Sequence, residues 1–173
     1  MTAPTTMTEE YSKVFDVCKE LYEARQYVLV EQCRDTWHLK GRPPTGGSLV
    51  HLFIITHSKL NVDLIKYYYT MFCDKGIKHA ILVYQNSVTS SVKKILQSIE
   101  IHIELFCISE LKYNILKHTL VPKHTKIATA KNNDQKYPIM KRTDPVARFI
   151  GFRHGDVIQI DRRDGSVYFR FVR

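Results

Sequence analysis

The chain has 173 residues, 44% hydrophobic and 25% charged, with 26 Lys/Arg against 17 Asp/Glu for a net charge of +9. That length suits one ordinary domain or two small ones, with apolar mass enough for a soluble core. No run approaches the roughly 20 apolar residues of a membrane span, and "MTAPTTMTEE" lacks the basic and apolar regions of a secretory signal, so neither membrane contact nor secretion is expected.

In chain order, Tyr11, Val14, Phe15, Cys18, Leu21 and Tyr22 recur at helical spacing, which predicts an amphipathic helix over Glu9–Tyr22. Thr6 and Thr8 are candidate N-caps, and Glu9 completes a capping box with Thr6. "KGRPPTGGS" (Lys40–Ser48), with two prolines and three glycines, reads as a loop; Gly46-Gly47 lacks the Gly-Lys-Ser/Thr that a phosphate-binding P-loop needs. An alternation follows: strand Leu49–Thr56, helix Val62–Asp74 capped by Asn61 and ended by Gly76, strand His79–Tyr84, helix Ser90–Ile99, strand Ile101–Phe106. Such a succession predicts a three-layer α/β unit around a mainly parallel sheet, with "AILVY" apolar on both faces as a covered central strand should be.

Beyond Phe106 the character changes. "LKYNILKHTLVPKHTKI" mixes apolar residues with Lys and His around the helix-breaking Pro122, and "TAKNNDQK" (Thr129–Lys136) reads as a surface loop. Asp144-Pro145 starts a helix of about one and a half turns that Gly151 ends. "DVIQID" and "VYFRFV" flank Asp164-Gly165, a hairpin signal, so residues 108–173 are expected to form a small antiparallel α+β element that gains stability from docking. Charge divides the same way. Residues 1–107 hold twelve Lys/Arg and eleven Asp/Glu, whereas 108–173 hold fourteen and six, which places an acidic partner, nucleic acid or protein, near the C-terminal part.

Candidate chemistry is sparse. Cys18, Cys33, Cys73 and Cys107 form no C-x-x-C pair and read as reduced, mostly buried thiols. His118 and His124, with Pro122 between them, read as structural or hydrogen-bonding groups; His51, His57, His79 and His102 read as packing or surface residues, and no metal or cofactor is expected. A metal-dependent nuclease needs strand-end carboxylates with a nearby Lys, but the first two strands of the alternation carry no Asp or Glu, and Glu104 in the third lacks a Lys neighbour. "TSSVKK" (Thr89–Lys94) opens a helix with hydroxyls and free N–H groups, followed by Lys93 and Lys94, a pattern that can meet a phosphate backbone as readily as it can cap a surface helix. Arg42 has the same double reading, and Arg162 and Arg163 read as solvated charges.

The series "HTLVPKH", "DPVARFIGFRHGDVIQI" and "VYFRFVR" closely resembles the fifth subunit shared by eukaryotic nuclear RNA polymerases, whose C-terminal domain corresponds to a small subunit of the archaeal polymerase. Matching positions include His118, Leu120, Val121, Pro122, Lys123, His124, Asp144, Pro145, Val146, Ala147, Arg148, Gly151, Gly155 and Arg170. Upstream, Gly41-Arg42-Pro43, "ILVYQNSVTSS" and "LFCISELKYNILKH" extend the likeness over nearly the whole chain. The resemblance implies an N-terminal α/β "jaw" over 1–107, nuclease-like in topology but without an active site, beside downstream DNA. It implies a C-terminal assembly domain over 108–173, docked on the largest polymerase subunit through His118, Val121, Pro122, Lys123, His124, Asp144, Pro145, Val146, Arg148, Gly151, Gly155 and Arg170. It marks Arg42, Thr89, Ser90, Ser91, Lys93 and Lys94 as DNA-proximal. Polymerisation and its Mg²⁺ would belong to the large subunits, with no cofactor, membrane or homo-oligomer for this chain. The segment between "VPKH" and "DPVAR" and the "RRDGS" hairpin loop are shorter than in the family, which points to a divergent lineage such as a large DNA virus with its own polymerase. The expected location is the nucleus for a cellular chain, and the virion and replication site for a viral one. A stand-alone nuclease or nucleic-acid-binding protein, and a regulatory adaptor that binds polymerase, are the alternatives.

Overall fold

The structure is a computed structural model that describes residues 5–57, 59–133 and 135–173, with side chains of the first helix described from Glu9 onward. Thr6 and Thr8, expected as caps, fall within the first helix, which begins at Thr5, and their side chains are not among those described; Asp134 of the expected loop lies outside the described residues. Two compact units divide the chain, 1–113 and 114–173, so the division falls after Tyr113 and not after Cys107. The reason is local: β5 (His102–Cys107) runs straight into a 3₁₀ turn, Ile108–Leu111, whose Ile108 and Leu111 are buried in the first unit.

The first unit is built on a five-stranded sheet in the order β1 (Val28–Cys33), β2 (His38–Arg42), β3 (Val50–Ile54), β4 (His79–Tyr84), β5. Strands β3, β4 and β5 are parallel, joined by α2 (Val62–Asp74) and α3 (Ser90–Ser98), as the alternation predicts. The sheet is mixed, however, because β1–β2 and β2–β3 pair antiparallel. Here the loop expected over Lys40–Ser48 is corrected: Lys40, Gly41 and Arg42 belong to β2. Leu39 and Gly41 alternate inward while backbone partners lie on both sides, and that pairing outweighs the turn signal until Pro43-Pro44 stops the strand. A Cβ on Gly41 would come within 2.7 Å of the Tyr22 ring, so glycine there lets α1 (Thr5–Ala24) lie close on the sheet.

Alternation along the strands sorts the core into two layers. Leu82 and Ala80 pack with Ile65 and Phe72 of α2 and Val92 of α3 on one face. On the other face α1 buries Val14, Phe15, Cys18, Leu21 and Tyr22, and the Tyr22 hydroxyl donates to the Val50 carbonyl at 3.1 Å. The four central residues of β4 are buried, as a strand covered on both faces requires. Asn61 caps α2 by accepting from Leu64 N–H at 2.9 Å, and Gly76 closes it in the left-handed region, with Ile77 N–H donating to the Phe72 carbonyl. All four cysteines are free, but only Cys18 is buried; Cys73, in the last turn of α2, is exposed, contrary to expectation.

The second unit is a four-stranded sheet in the order β6 (Lys123–Thr129), β8 (Asp156–Asp161), β9 (Val167–Val172), β7 (Ile139–Met140). It is not wholly antiparallel: the two-residue β7 pairs parallel to the end of β9. Helix α4 (Pro145–Ile150) covers one face, where Met140, Val146, Ala147, Ile158 and Val172 form the core with Ile115, Leu116 and Val121 against it. Asp164-Gly165 forms the β8–β9 hairpin as expected, with Arg162 N–H donating to the Ser166 carbonyl. Arg162 is not merely solvated, since its guanidinium lies 4.5 Å from the Tyr168 ring centre.

Candidate functional site

The expected docking residues are held by three short-range devices of the second unit. Asp144 is the N-cap of α4; its Oδ1 accepts from Val146 N–H at 2.8 Å and Ala147 N–H at 3.3 Å, Pro145 occupies the first turn and Gly151 ends the helix at φ 80°. His124 Nδ1 lies 2.8 Å from the Pro122 carbonyl, which sets its ring against the start of β6, and His118 Nδ1 accepts from Leu120 N–H at 3.2 Å. Both histidines thus have the hydrogen-bonding roles read from the sequence. At Gly155, φ is 92° and a Cβ would sit 2.6 Å from the Ala130 carbonyl oxygen. Only glycine admits that approach. The adjoining Asp156, 2% exposed, is satisfied by Arg153 N–H, the Thr129 hydroxyl and the Lys126 ammonium.

Three of the expected docking residues, His124, Asp144 and Arg170, line one cavity of about 430 Å³, together with Met140, Lys141 and Ile160. The lining sets His124, Lys141 and Arg170 and the Asp144 carboxylate beside the apolar Ile139, Met140 and Ile160. Lys123, Pro145 and His118 are exposed, while Val121, Pro122, Arg148 and Gly151 are partly so. Val146 and Gly155 face the interior, so they shape this surface and do not touch a partner.

The expected DNA-proximal residues do not all come together. Thr89 caps α3, accepting from Val92 N–H at 3.4 Å, and Ser90, Ser91, Lys93 and Lys94 are exposed around that first turn. Arg42 ends β2, opposite the start of β3, whereas α3 begins beyond the far ends of the parallel strands. A six-residue strand spans about 20 Å, so Arg42 and the α3 cluster lie at opposite ends of the sheet.

The spacing signals miss one constellation entirely. The Arg25 side chain, nearly fully buried, donates to both Glu104 oxygens at 2.9 and 2.8 Å and lies over the Phe106 ring. His79 Nε2 is 2.8 Å and His102 Nε2 3.8 Å from Glu104 Oε1. Burial would raise the Glu104 pKa, but the Arg25 charge and the His79 hydrogen bond outweigh it and hold the carboxyl well below the usual carboxylate range. The group is an anion locked in a fork. Only part of it was legible in the sequence: Glu104 is two residues from His102 on the same strand face, whereas the pairing of His79 with His102 is set by the register of β4 and β5.

The family described as "RNA polymerase Rpb5, C-terminal domain" matches residues 113–172. The DNA-directed RNA polymerases I, II, and III subunit RPABC1 of Caenorhabditis briggsae is 31% identical, across 89% of this chain and 78% of that protein. The chain belongs to the Rpb5 family. A "Putative DNA-directed RNA polymerase subunit 454R" of Invertebrate iridescent virus 6 is 28% identical over 94% of this chain and 100% of its own length. The Dictyostelium discoideum subunit rpabc1 is 33% identical over 65% of this chain and 64% of that protein. The matched Rpb5 domain is the unit that holds the His124–Asp144–Arg170 cavity, and the two longer alignments extend the kinship through the mixed α/β unit before it. The resemblance drawn from the sequence motifs is thereby shown.

Proposed function

We propose that this Rpb5-family chain is a non-catalytic subunit of a multisubunit DNA-directed RNA polymerase, docked on the largest subunit and supporting downstream duplex DNA. The basic C-terminal unit is the assembly domain. The N-terminal unit is the jaw, with a three-layer nuclease-like topology turned to structural use. One observation carries the docking reading: residues matched to the Rpb5 domain, His124, Asp144 and Arg170, converge on one basic cavity. A cation such as Arg170 pairs bidentately with a partner carboxylate once water is excluded. The α3 N-terminus with Lys93 and Lys94 supplies the sequence-independent phosphate contact, and Arg42, at the other end of the sheet, is a separate one. Such a subunit acts where its polymerase acts, in the nucleus of a cell or at the replication site of a virus.

The test is affinity capture of the tagged chain from native extract, scored by stoichiometric recovery of the two largest polymerase subunits. Arg170→Glu should cut that recovery about tenfold or more, since losing one partner of a desolvated pair costs roughly 2 kcal/mol or more. Capture without large polymerase subunits refutes the reading. Capture through a regulator in substoichiometric amounts favours the adaptor alternative.

A further inference from the structure

We propose that His79, His102 and Glu104 form a binding site for a divalent transition cation of the zinc class, at the edge of β4 and β5. Sequence spacing argues against a metal because the two histidines are far apart in the chain. The parallel register makes them neighbours: His79 pairs with His102, and Glu104 lies two residues along the same face of β5. Their ligand atoms all fall within 4.8 Å of one another. Donors about 2.0 Å from a tetrahedral ion stand about 3.3 Å apart. The separations from Glu104 Oε1 to His79 Nε2 (2.8 Å) and to His102 Nε2 (3.8 Å) bracket that value, so small ring rotations suffice.

The donor set, two imidazoles and a carboxylate, suits zinc and disfavours magnesium or calcium, which prefer all-oxygen shells. Three protein ligands leave the fourth position to water, and the 58% exposed His102 side chain puts that position at the solvent boundary. The chemistry of Glu104 fits a ligand. Arg25 donates to both oxygens and so orients the carboxylate, and Oε1 also faces His79 Nε2 at 2.8 Å, where the ion would replace the intervening proton. Arg25 also sets the limit of the site, since its charge repels a cation and tempers affinity.

The full-length chain, stripped with chelator, is titrated with zinc chloride by calorimetry, alongside His102→Ala and a control, His57→Ala. His102 is exposed, so its replacement leaves the buried Arg25–Glu104 pair intact. The expected result is one equivalent bound, a melting temperature that rises with zinc, and a loss of at least tenfold in affinity in His102→Ala alone. Cobalt chloride should give visible d–d bands of low coordination number without a thiolate charge-transfer band. Equal zinc binding by His102→Ala and wild type, absence of binding, or a thiolate band pointing to a cysteine site would each overturn the proposal.

Discussion

At single positions the first unit is most sensitive where it buries a charge, because removing one partner leaves the other uncompensated. Arg25 and Glu104 are far apart in sequence yet form a two-pronged pair beneath α1. Arg25→Ala strands the partly buried carboxylate and should lower unfolding free energy by about 3 kcal/mol, measured by urea denaturation. The double replacement Arg25→Met, Glu104→Leu should recover most of that loss, because apolar packing can substitute for such a pair. Because the folded Glu104 pKa lies below its unfolded value, near 4.5, this stability is present above that pH and drains away as pH falls beneath it. A second acid-sensitive group sits in β3. Burial, then the neighbouring His38 imidazole, push His51 down to about 4 from an ordinary 6.5. Between those values the unfolded chain takes up a proton that the folded chain refuses, so stability should fall as pH drops from 6.5 toward 4. His51→Gln should flatten that part of the unfolding-midpoint profile; an unchanged slope would assign it elsewhere.

At the scale of elements, α4 shows how a short helix survives. Six residues are too few to be stable alone, so its ends must be satisfied from outside the helix. Asp144 does this at one end with two backbone N–H groups, and Gly151 at the other. Asp144→Ala should cost about 1 kcal/mol in equilibrium unfolding, while Asp144→Asn, an equally good cap, should cost little. Equal losses in both variants would mean that charge, not capping, matters there. The cap, the proline and the terminal glycine all lie within a few positions of the helix, and for that reason this element is legible in the sequence. β2 is not, because Leu39 and Gly41 reveal themselves as strand residues only when β1 and β3 flank them.

For the molecule as a whole, charge is partitioned between two units. Residues 114–173 hold thirteen Lys/Arg against five Asp/Glu, while 1–113 are nearly balanced, with thirteen against twelve. Lys126 is matched by the buried Asp156, but the small number of carboxylates leaves most of the cationic excess of the second unit without an acidic complement in the same unit. An acidic partner surface is the natural complement of such a field. The DNA contact proposed above would instead fall on the balanced unit, through Lys93 and Lys94 at the start of α3. Lys93→Glu with Lys94→Glu should therefore spare incorporation into polymerase. It should reduce the slope of log affinity against log salt for downstream duplex by about 2, one for each phosphate no longer neutralised. An unchanged slope removes those lysines from the DNA path.

The sequence alone determined what depends on neighbours along the chain: the amphipathic first helix, the alternation of strands and helices, the caps at Asn61 and Asp144, the hairpin at Asp164-Gly165, and the ordered motifs that mark the Rpb5 family. Each is encoded by residues within a few positions, where backbone sterics and hydrogen bonding act directly. Tertiary structure decided the rest. Strand register brought Arg25, His79, His102 and Glu104 into one cluster, set Arg42 and Lys93 at opposite ends of a sheet, and gathered His124, Asp144 and Arg170 around one cavity. Those juxtapositions arise from pairing and burial between distant segments, and no local pattern carries them.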